Sequence, residues 1–150
     1  MKIAIGSDHA AYPAKEQIVQ YLTDLGFEVL DQGTDSQDSC DYPDYAALVS
    51  RSIQSGLVQK GVLICGSGIG MSIASNRFEG VRAALCYTEE LAVLSRLHND
   101  ANVLCMGART QSIDSMKSIL KLWLDTAWEG ERHAVRVGKI ESNARGQHVK

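Results

Sequence analysis

The chain has 150 residues, 45% of them apolar, with 15 basic and 18 acidic side chains and a net charge of −3. That length suits one domain with a sizeable core, and the charge gives no general attraction to nucleic acid or to an anionic membrane. The four cysteines form no C-x-x-C pair, so a zinc site or a thioredoxin-type redox site has no support.

Short apolar runs alternate along the chain with longer amphipathic ones. The short runs have the character of strands buried on both faces, and they are residues 2–6, 27–31, 61–65, 81–86 and 103–106. The amphipathic runs predict helices over residues 12–25, 45–55, about 70–76, a stretch beginning after Thr88, and 113–127. This alternation predicts a Rossmann-like, three-layer α/β/α sandwich with a five-stranded parallel sheet. We expect a single domain over residues 1–150, with residues 131–150 as a C-terminal helical arm.

Ligands of parallel sheets bind beyond the carboxyl ends of the strands. Three segments follow predicted strands directly, namely Ser7-Asp8-His9, Cys65 to Gly70, and Gly107-Ala108-Arg109. We therefore expect these segments to share one edge of the sheet and to form the binding site.

The second of these segments, CGSGIG, has glycines at positions 66, 68 and 70. Glycines let the backbone approach a ligand closely, and the N–H groups of the following helix attract anions. A structural turn between strand and helix is the alternative interpretation. The spacing of the glycines excludes a dinucleotide-binding fingerprint, and the absence of a Gly-Lys-Ser/Thr sequence excludes a Walker phosphate-binding loop. A cysteine phosphatase is excluded because it needs an arginine at the position of Met71.

The functional interpretation that remains is a thiol beside a backbone loop that binds a small anion. A cysteine at the start of a helix ionises more easily than a free one and then serves as a base or a nucleophile. Cys86 and Cys105 lie in apolar runs without such a loop, so they are expected to be structural.

Three other groups have two interpretations each. Asp8-His9 suits sugar binding or proton transfer, or simply caps a helix, and His98 lies in a polar turn that equally suits a helix end. Arg132 and Arg136 are one turn apart and could clamp a phosphate or form a solvated basic face. His133 begins a second, more apolar row of the same helix, which we expect to pack on another subunit.

The N-terminal sequence reaches Asp8 too early for the apolar region of a signal peptide. No apolar run approaches the ~20 residues that span a bilayer. We therefore expect a cytoplasmic protein with reduced thiols, without nucleic-acid or membrane partners.

Taken together, these stretches resemble the ribose-5-phosphate isomerase B family, which belongs with the galactose-6-phosphate isomerase subunits. The motifs that carry the resemblance run through almost the whole chain in order: GSDHA at 6–10, DYPDYA at 41–46, CGSGIGMSIASNR at 65–77, GVRAA at 80–84, HNDANVL at 98–104, GAR at 107–109 and RHAVRVGKI at 132–140.

The resemblance implies interconversion of D-ribose 5-phosphate and D-ribulose 5-phosphate in the pentose phosphate pathway, through a cis-enediolate and without metal or organic cofactor. It implies that Cys65 is the proton-transferring base, that His98 assists ring opening, and that Ser67 and Asp8 also act at the catalytic centre. The matched residues implied to bind the substrate are Asp8, His9, Tyr42, Gly66, Ser67, Gly68, Ile69, Gly70, Asn99, Arg109, Arg132 and Arg136. The family builds its sites between two subunits, which implies a homodimer or a tetramer with shared sites.

Two positions depart from the family pattern. Ser67 stands where threonine is common, which keeps the hydroxyl, and Ala11 stands where glycine is usual. A subclass uses a glutamate base where this chain has Met71, so a base at Cys65 is the consistent interpretation. The alternatives are a six-carbon substrate such as allose or galactose 6-phosphate, a non-catalytic nucleotide-binding module, and a subunit active only in a mixed oligomer.

Overall fold

The computed structural model describes residues 1–146 and contains one parallel sheet between helices. The strands are β1 (Lys2–Ser7), β2 (Glu28–Asp31), β3 (Lys60–Cys65), β4 (Ala83–Leu85) and β5 (Val103–Gly107). The helices are α1 (Tyr12–Asp24), α2 (Tyr42–Gln54), α3 (Ile69–Ser75), α4 (Glu89–Asn99), α5 (Ile113–Asp125) and α6 (Arg132–Ala144). The predicted Rossmann-like α/β/α architecture with a C-terminal helix is confirmed.

The sheet has the strand order β2-β1-β3-β5-β4, and every pair of neighbours is parallel. From β1 the chain first adds β2 on one side and then crosses to β3 on the other. The direction of winding therefore reverses between β1 and β3, and such a switch point opens a crevice at the carboxyl ends of those strands.

Alternate residues of the strands feed two separate cores. Ile3, Ile5, Val62 and Ile64 face the layer that contains Trp123 of α5, together with α1 and α4. The other faces of these strands carry a core that includes Cys65 and side chains of α2 and α3. Burial on both faces thus explains the consecutive apolar residues of the central strands β1, β3 and β5, whereas β2 and β4 at the edges are only partly buried.

Helix α4 does not bury its row of leucines most deeply. Leucines occupy positions 91, 94 and 97, but the helix buries Ala92, Ser95 and Arg96, and Leu91 is 44% exposed. Arg96 is accommodated because its guanidinium pairs with Asp100 at 2.8 Å and donates to the Ala101 carbonyl at 2.6 Å. These partners offset the cost of burying the Arg96 charge.

The C-terminal helix α6 lies against the end of α4 and the segment before β4. A backbone N–H of Gly80 donates to Glu141 at 2.9 Å, and Arg145 pairs with Glu79. A half-open groove of about 600 Å³ separates α6 from this segment and includes Phe78 and Ile140 in its lining. Residues 147–150 of the predicted arm lie outside the described residues. Across residues 1–146, no helix has the length and apolar character that crossing a membrane requires.

Candidate active site

The three segments predicted to share an edge do so. Cys65 at the end of β3 is the register partner of Gly107 at the end of β5. The N–H of Ala108 donates to the Cys65 carbonyl at 2.9 Å, and the N–H of Asp8 donates to the Ile64 carbonyl at 3.3 Å. The ends of β1, β3 and β5 are thereby tied into one rim around the thiol.

The thiol of Cys65 faces the glycine loop. Cys65 is only 5% exposed, and its Sγ accepts a hydrogen bond from the N–H of Gly68 at 3.1 Å. The N–H of Ile69 is engaged by Ser67 Oγ at 3.3 Å. Among the described residues, the N–H groups of Gly66, Ser67 and Gly70 are left as the loop's donors for a bound oxygen.

Gly68 is required by the conformation of this loop. Its φ is +78°, and a Cβ added there would lie 2.8 Å from the Met106 carbonyl group. We predict that Gly68→Ala lowers the free energy of unfolding by about 2 kcal/mol, because it combines a left-handed backbone with a backbone clash. Urea denaturation measures the change.

Gly138 supplies the matched control for this substitution. It lies within α6, and an added Cβ meets nothing within 4 Å among the described residues. Gly138→Ala should stabilise the helix by about 0.5–1 kcal/mol. Equal unfolding free energies for Gly68→Ala and the unsubstituted chain would contradict the prediction.

Two residues that the sequence did not single out brace the loop. The hydroxyl of Tyr87 donates to the Ser67 carbonyl at 2.6 Å. The side chain of Gln111 accepts from the N–H of Gly107 at 2.8 Å and donates to the Cys86 carbonyl at 3.0 Å. These three bonds join residues 4, 20 and 25 positions apart and follow no periodic pattern. The only signal in the sequence was the position of Gln111 just after the GAR segment.

Asp8 and His9 are held in place beside this rim. Asp8 Oδ1 accepts from the N–H of Ala11 at 3.2 Å, so the carboxylate does cap the turn that precedes α1. Nδ1 of His9 lies 3.2 Å from both the backbone nitrogen and the carbonyl oxygen of Cys40. The ring is thus fixed through Nδ1, which leaves Nε2 as its nitrogen for a ligand.

Tyr42 and Arg109 contact opposite ends of the loop. The Tyr42 ring lies so close to Gly70 that a Cβ added there would approach its carbons to 2.6 Å, and a Cβ added at Gly66 would lie 3.3 Å from the side chain of Arg109. The residues that one chain brings together here are Asp8, His9, Tyr42, Cys65 to Gly70 and Arg109. We call this set the thiol cluster.

The other predicted residues lie elsewhere. Because α4 runs back from the carboxyl edge, His98 and Asn99 at its end reach the amino edge of the sheet, where the Asn99 carbonyl accepts from Arg82 Nε at 3.1 Å. His98, Asn99 and Arg136 line a cavity of about 420 Å³ against α6. Together with Arg132 and His133 at the start of α6, and Glu129 just before it, these residues form what we call the histidine group.

Within the histidine group, three side chains could be considered for a metal. His98, Glu129 and His133 each place a possible ligand atom within 4.8 Å of the others. The two imidazoles are stacked, with 15° between their planes and 4.4 Å between their centroids. Nitrogen lone pairs lie in the ring planes, so they do not converge on one ion, and Arg132 Nε stands 3.4 Å from His133 Nε2. The arrangement suits a stacked, hydrogen-bonded pair better than a metal centre.

The remaining buried thiols differ from Cys65 in their surroundings. Burial raises the pKa of Cys86 to about 11, although a hydrogen bond with Ser95 opposes the shift. Burial also raises the pKa of Cys105 well above its ordinary value. Both stay protonated near neutral pH and belong to the core, as expected.

Comparisons with known proteins point to one family. Residues 3–140 match the family model described as Ribose/Galactose Isomerase. The chain is 46% identical over 139 residues to ribose-5-phosphate isomerase B of Escherichia coli, covering 93% of each chain. It is 40% identical over 141 residues to D-erythrulose-4-phosphate isomerase of Pectobacterium atrosepticum, covering 93% of each. The structure of Clostridium thermocellum ribose-5-phosphate isomerase B superposes with a TM-score of 0.96 at 44% identity, covering 99% of this chain and 100% of that one.

Proposed function

The chain belongs to the ribose/galactose isomerase family and is an aldose–ketose isomerase, and we propose that it interconverts D-ribose 5-phosphate and D-ribulose 5-phosphate. The observation that carries the proposal is the thiol of Cys65 held 3.1 Å from the Gly68 N–H inside a loop of further donors. The reaction belongs to the pentose phosphate pathway, and we place it in the cytoplasm, where thiols stay reduced.

Proton transfer is assigned to Cys65. The thiolate removes the proton from C2 of the open-chain aldose, the electron pair moves to O1, and a cis-enediolate forms. The thiol then returns the proton to C1, while the Ser67 hydroxyl moves a proton between O2 and O1. One base thus serves both directions of a reversible reaction.

The glycine loop stabilises the charge that this step creates. Backbone donors fixed in advance toward a developing oxyanion contribute about 3 kcal/mol each in comparable sites. Gly68 supports the sulfur anion, and the remaining N–H groups of the loop serve the enediolate oxygen. Tyr87 and Gln111 keep those donors in place through their bonds to the loop and to β5.

Ring opening must precede proton transfer because the aldose is mainly a furanose. The bond between C1 and the ring oxygen breaks, His98 gives a proton to that oxygen, and the Asp8 carboxylate takes the proton of the C1 hydroxyl. His9 and Tyr42 hold the sugar beside the thiol. Arg132 and Arg136, with Asn99 and Arg109, complete phosphate and substrate binding by forked hydrogen bonds.

These steps require the thiol cluster and the histidine group in one site, although one chain holds them at opposite edges of its sheet. We therefore propose a homodimer, or a tetramer of such dimers, in which the histidine group of one subunit lies beside the thiol cluster of the other and completes the active site. The exposed start of α6, with Arg132 and Arg136, is free to face a second copy.

The size of the sugar is the main alternative. The Pectobacterium relative is named for a four-carbon phosphate, and the family description includes galactose isomerases, which act on a longer sugar. Comparing kcat/KM for four-, five- and six-carbon sugar phosphates decides among them. A nucleotide-binding module, by contrast, predicts tight nucleotide binding without turnover.

The direct test supplies the pure protein with ribose 5-phosphate in the presence of a chelator. We expect ribulose 5-phosphate to appear at a rate that the chelator does not change. Absence of product, with the single chain folded, would refute the proposal or require a mixed oligomer.

A further inference from the structure

His133 occupies an unusual position within the histidine group. It is a buried side chain, only 6% exposed, on a helix whose other residues are mostly exposed. Its imidazole lies face to face with that of His98, with 4.4 Å between the ring centroids. Offset stacking of two aromatic rings restricts the plane of each.

The ring of His133 is itself held in place. Its Nε2 lies 3.3 Å from Glu129 Oε2 and 3.4 Å from Arg132 Nε, so this nitrogen is already engaged and does not reach for a ligand. The backbone N–H of Glu129 donates to the Leu97 carbonyl at 3.2 Å. The loop that holds His133 is therefore attached to the residue that precedes His98.

The charges around the pair favour one neutral ring. Burial lowers the pKa of His133, and the neighbouring His98, Arg132 and Arg136 lower it further, while Glu129 opposes them. Two stacked imidazolium rings would repel each other, so a proton entering the pair is carried by one ring at a time. The surroundings of His133 therefore favour its neutral form.

We propose that His133, held by Glu129, is a positioning residue that fixes the plane of the His98 imidazole for its work on the sugar ring. The inference rests on the proposed function, in which His98 acts in ring opening and Cys65 in proton transfer. It predicts that loss of His133 slows the ring step and spares the proton transfer.

Two assays on the full chain separate these steps. Conversion of ribose 5-phosphate needs both steps. Exchange of the C1 hydrogen of ribulose 5-phosphate with deuterated water needs only the proton transfer by Cys65 and no ring opening, because this ketose cannot close a five-membered ring through its phosphorylated O5. His133→Ala should lower kcat for ribose 5-phosphate about 10-fold or more, with KM and the exchange rate changed less than about threefold.

Matched variants identify the cause. His133→Phe keeps a flat ring and should recover part of the lost kcat. Glu129→Gln should reduce kcat in the same direction, whereas Glu131→Gln, the same change two residues away on an exposed side chain, should leave it unchanged. If His133→Ala does not fold, His133→Phe and Glu129→Gln, compared with Glu131→Gln, carry the test.

A readout independent of activity is the NMR signal of the His98 ring, assigned with His98→Asn. Stacking displaces this signal upfield, and we expect His133→Ala to remove the displacement and His133→Phe to keep it. Unchanged kcat in a folded His133→Ala variant, an equal fall of turnover and exchange, or the absence of the NMR displacement would each overturn the proposal. A wild-type chain inactive in both assays would instead contradict the proposed function, and the NMR signal would still decide whether the ring pair exists.

Discussion

Cys65→Ala is expected to lower kcat for ribose 5-phosphate by about 10³-fold, since a positioned base contributes 10²–10⁴-fold to a proton transfer. The substitution removes one sulfur from a site whose other groups remain, so KM should change much less than kcat. Deuterium exchange into ribulose 5-phosphate should fall by a similar factor, because the same sulfur carries that proton. Steady-state kinetics and the exchange assay measure both quantities.

Cys86→Ala provides the control for this experiment. Cys86 is also buried and also lies near a strand end, but its thiol is protonated near neutral pH because burial raises its pKa to about 11. The substitution leaves a small cavity, so it should lower the free energy of unfolding by about 1 kcal/mol and leave kcat almost unchanged. Comparable losses of kcat in the two variants would show that Cys65 matters only for packing, and the proposed mechanism would be wrong.

Much of the fold could be predicted because its signals are local. The central strands β1, β3 and β5 are apolar runs covered on both faces, and the glycine loop follows β3 directly, so the position of Cys65 at the carboxyl edge required only the rule for parallel sheets. The predicted strand over residues 81–86 is shorter in the structure, Ala83–Leu85. It is one of the two edge strands, paired only with β5, so one side of its ladder has no partner strand in the described sheet.

The features that the sequence did not reveal depend on contacts between distant residues. The bond between His9 and Cys40 joins positions 31 residues apart, and Arg96 on the buried face of α4 donates to the Thr126 carbonyl, 30 residues away. The stacking of His133 on His98 of its own chain likewise joins two segments far apart in the sequence. One feature of the sequence does predict the separation of His98 from Cys65 within a chain. A helix between two parallel strands returns to the amino edge of the sheet, and His98 lies at the end of such a helix.

This separation leads to the second large effect, the recovery of activity when two inactive variants are mixed. Cys65→Ala and His98→Asn should each be nearly inactive as homodimers. In a mixed dimer with shared sites, one site contains both substitutions. The other site contains an intact thiol cluster from one subunit and an intact histidine group from its partner. Random exchange of subunits makes half of the dimers mixed, so about a quarter of the wild-type activity should return.

The alternative arrangement predicts a different number. If Cys65 and His98 of the same chain formed each site, every site in the mixture would carry one substitution and no activity would return. Subunits can be exchanged by mild unfolding and refolding together, and refolding each variant alone gives the baseline. A Cys65→Ala chain mixed with a Cys65→Ser chain is the second control, because its mixed dimers lack an intact thiol in every site. Recovery in the first mixture alone would show that the active site is built from two subunits, whereas recovery in neither, with exchange verified by mass, would place the complete site within one chain and contradict the shared-site proposal.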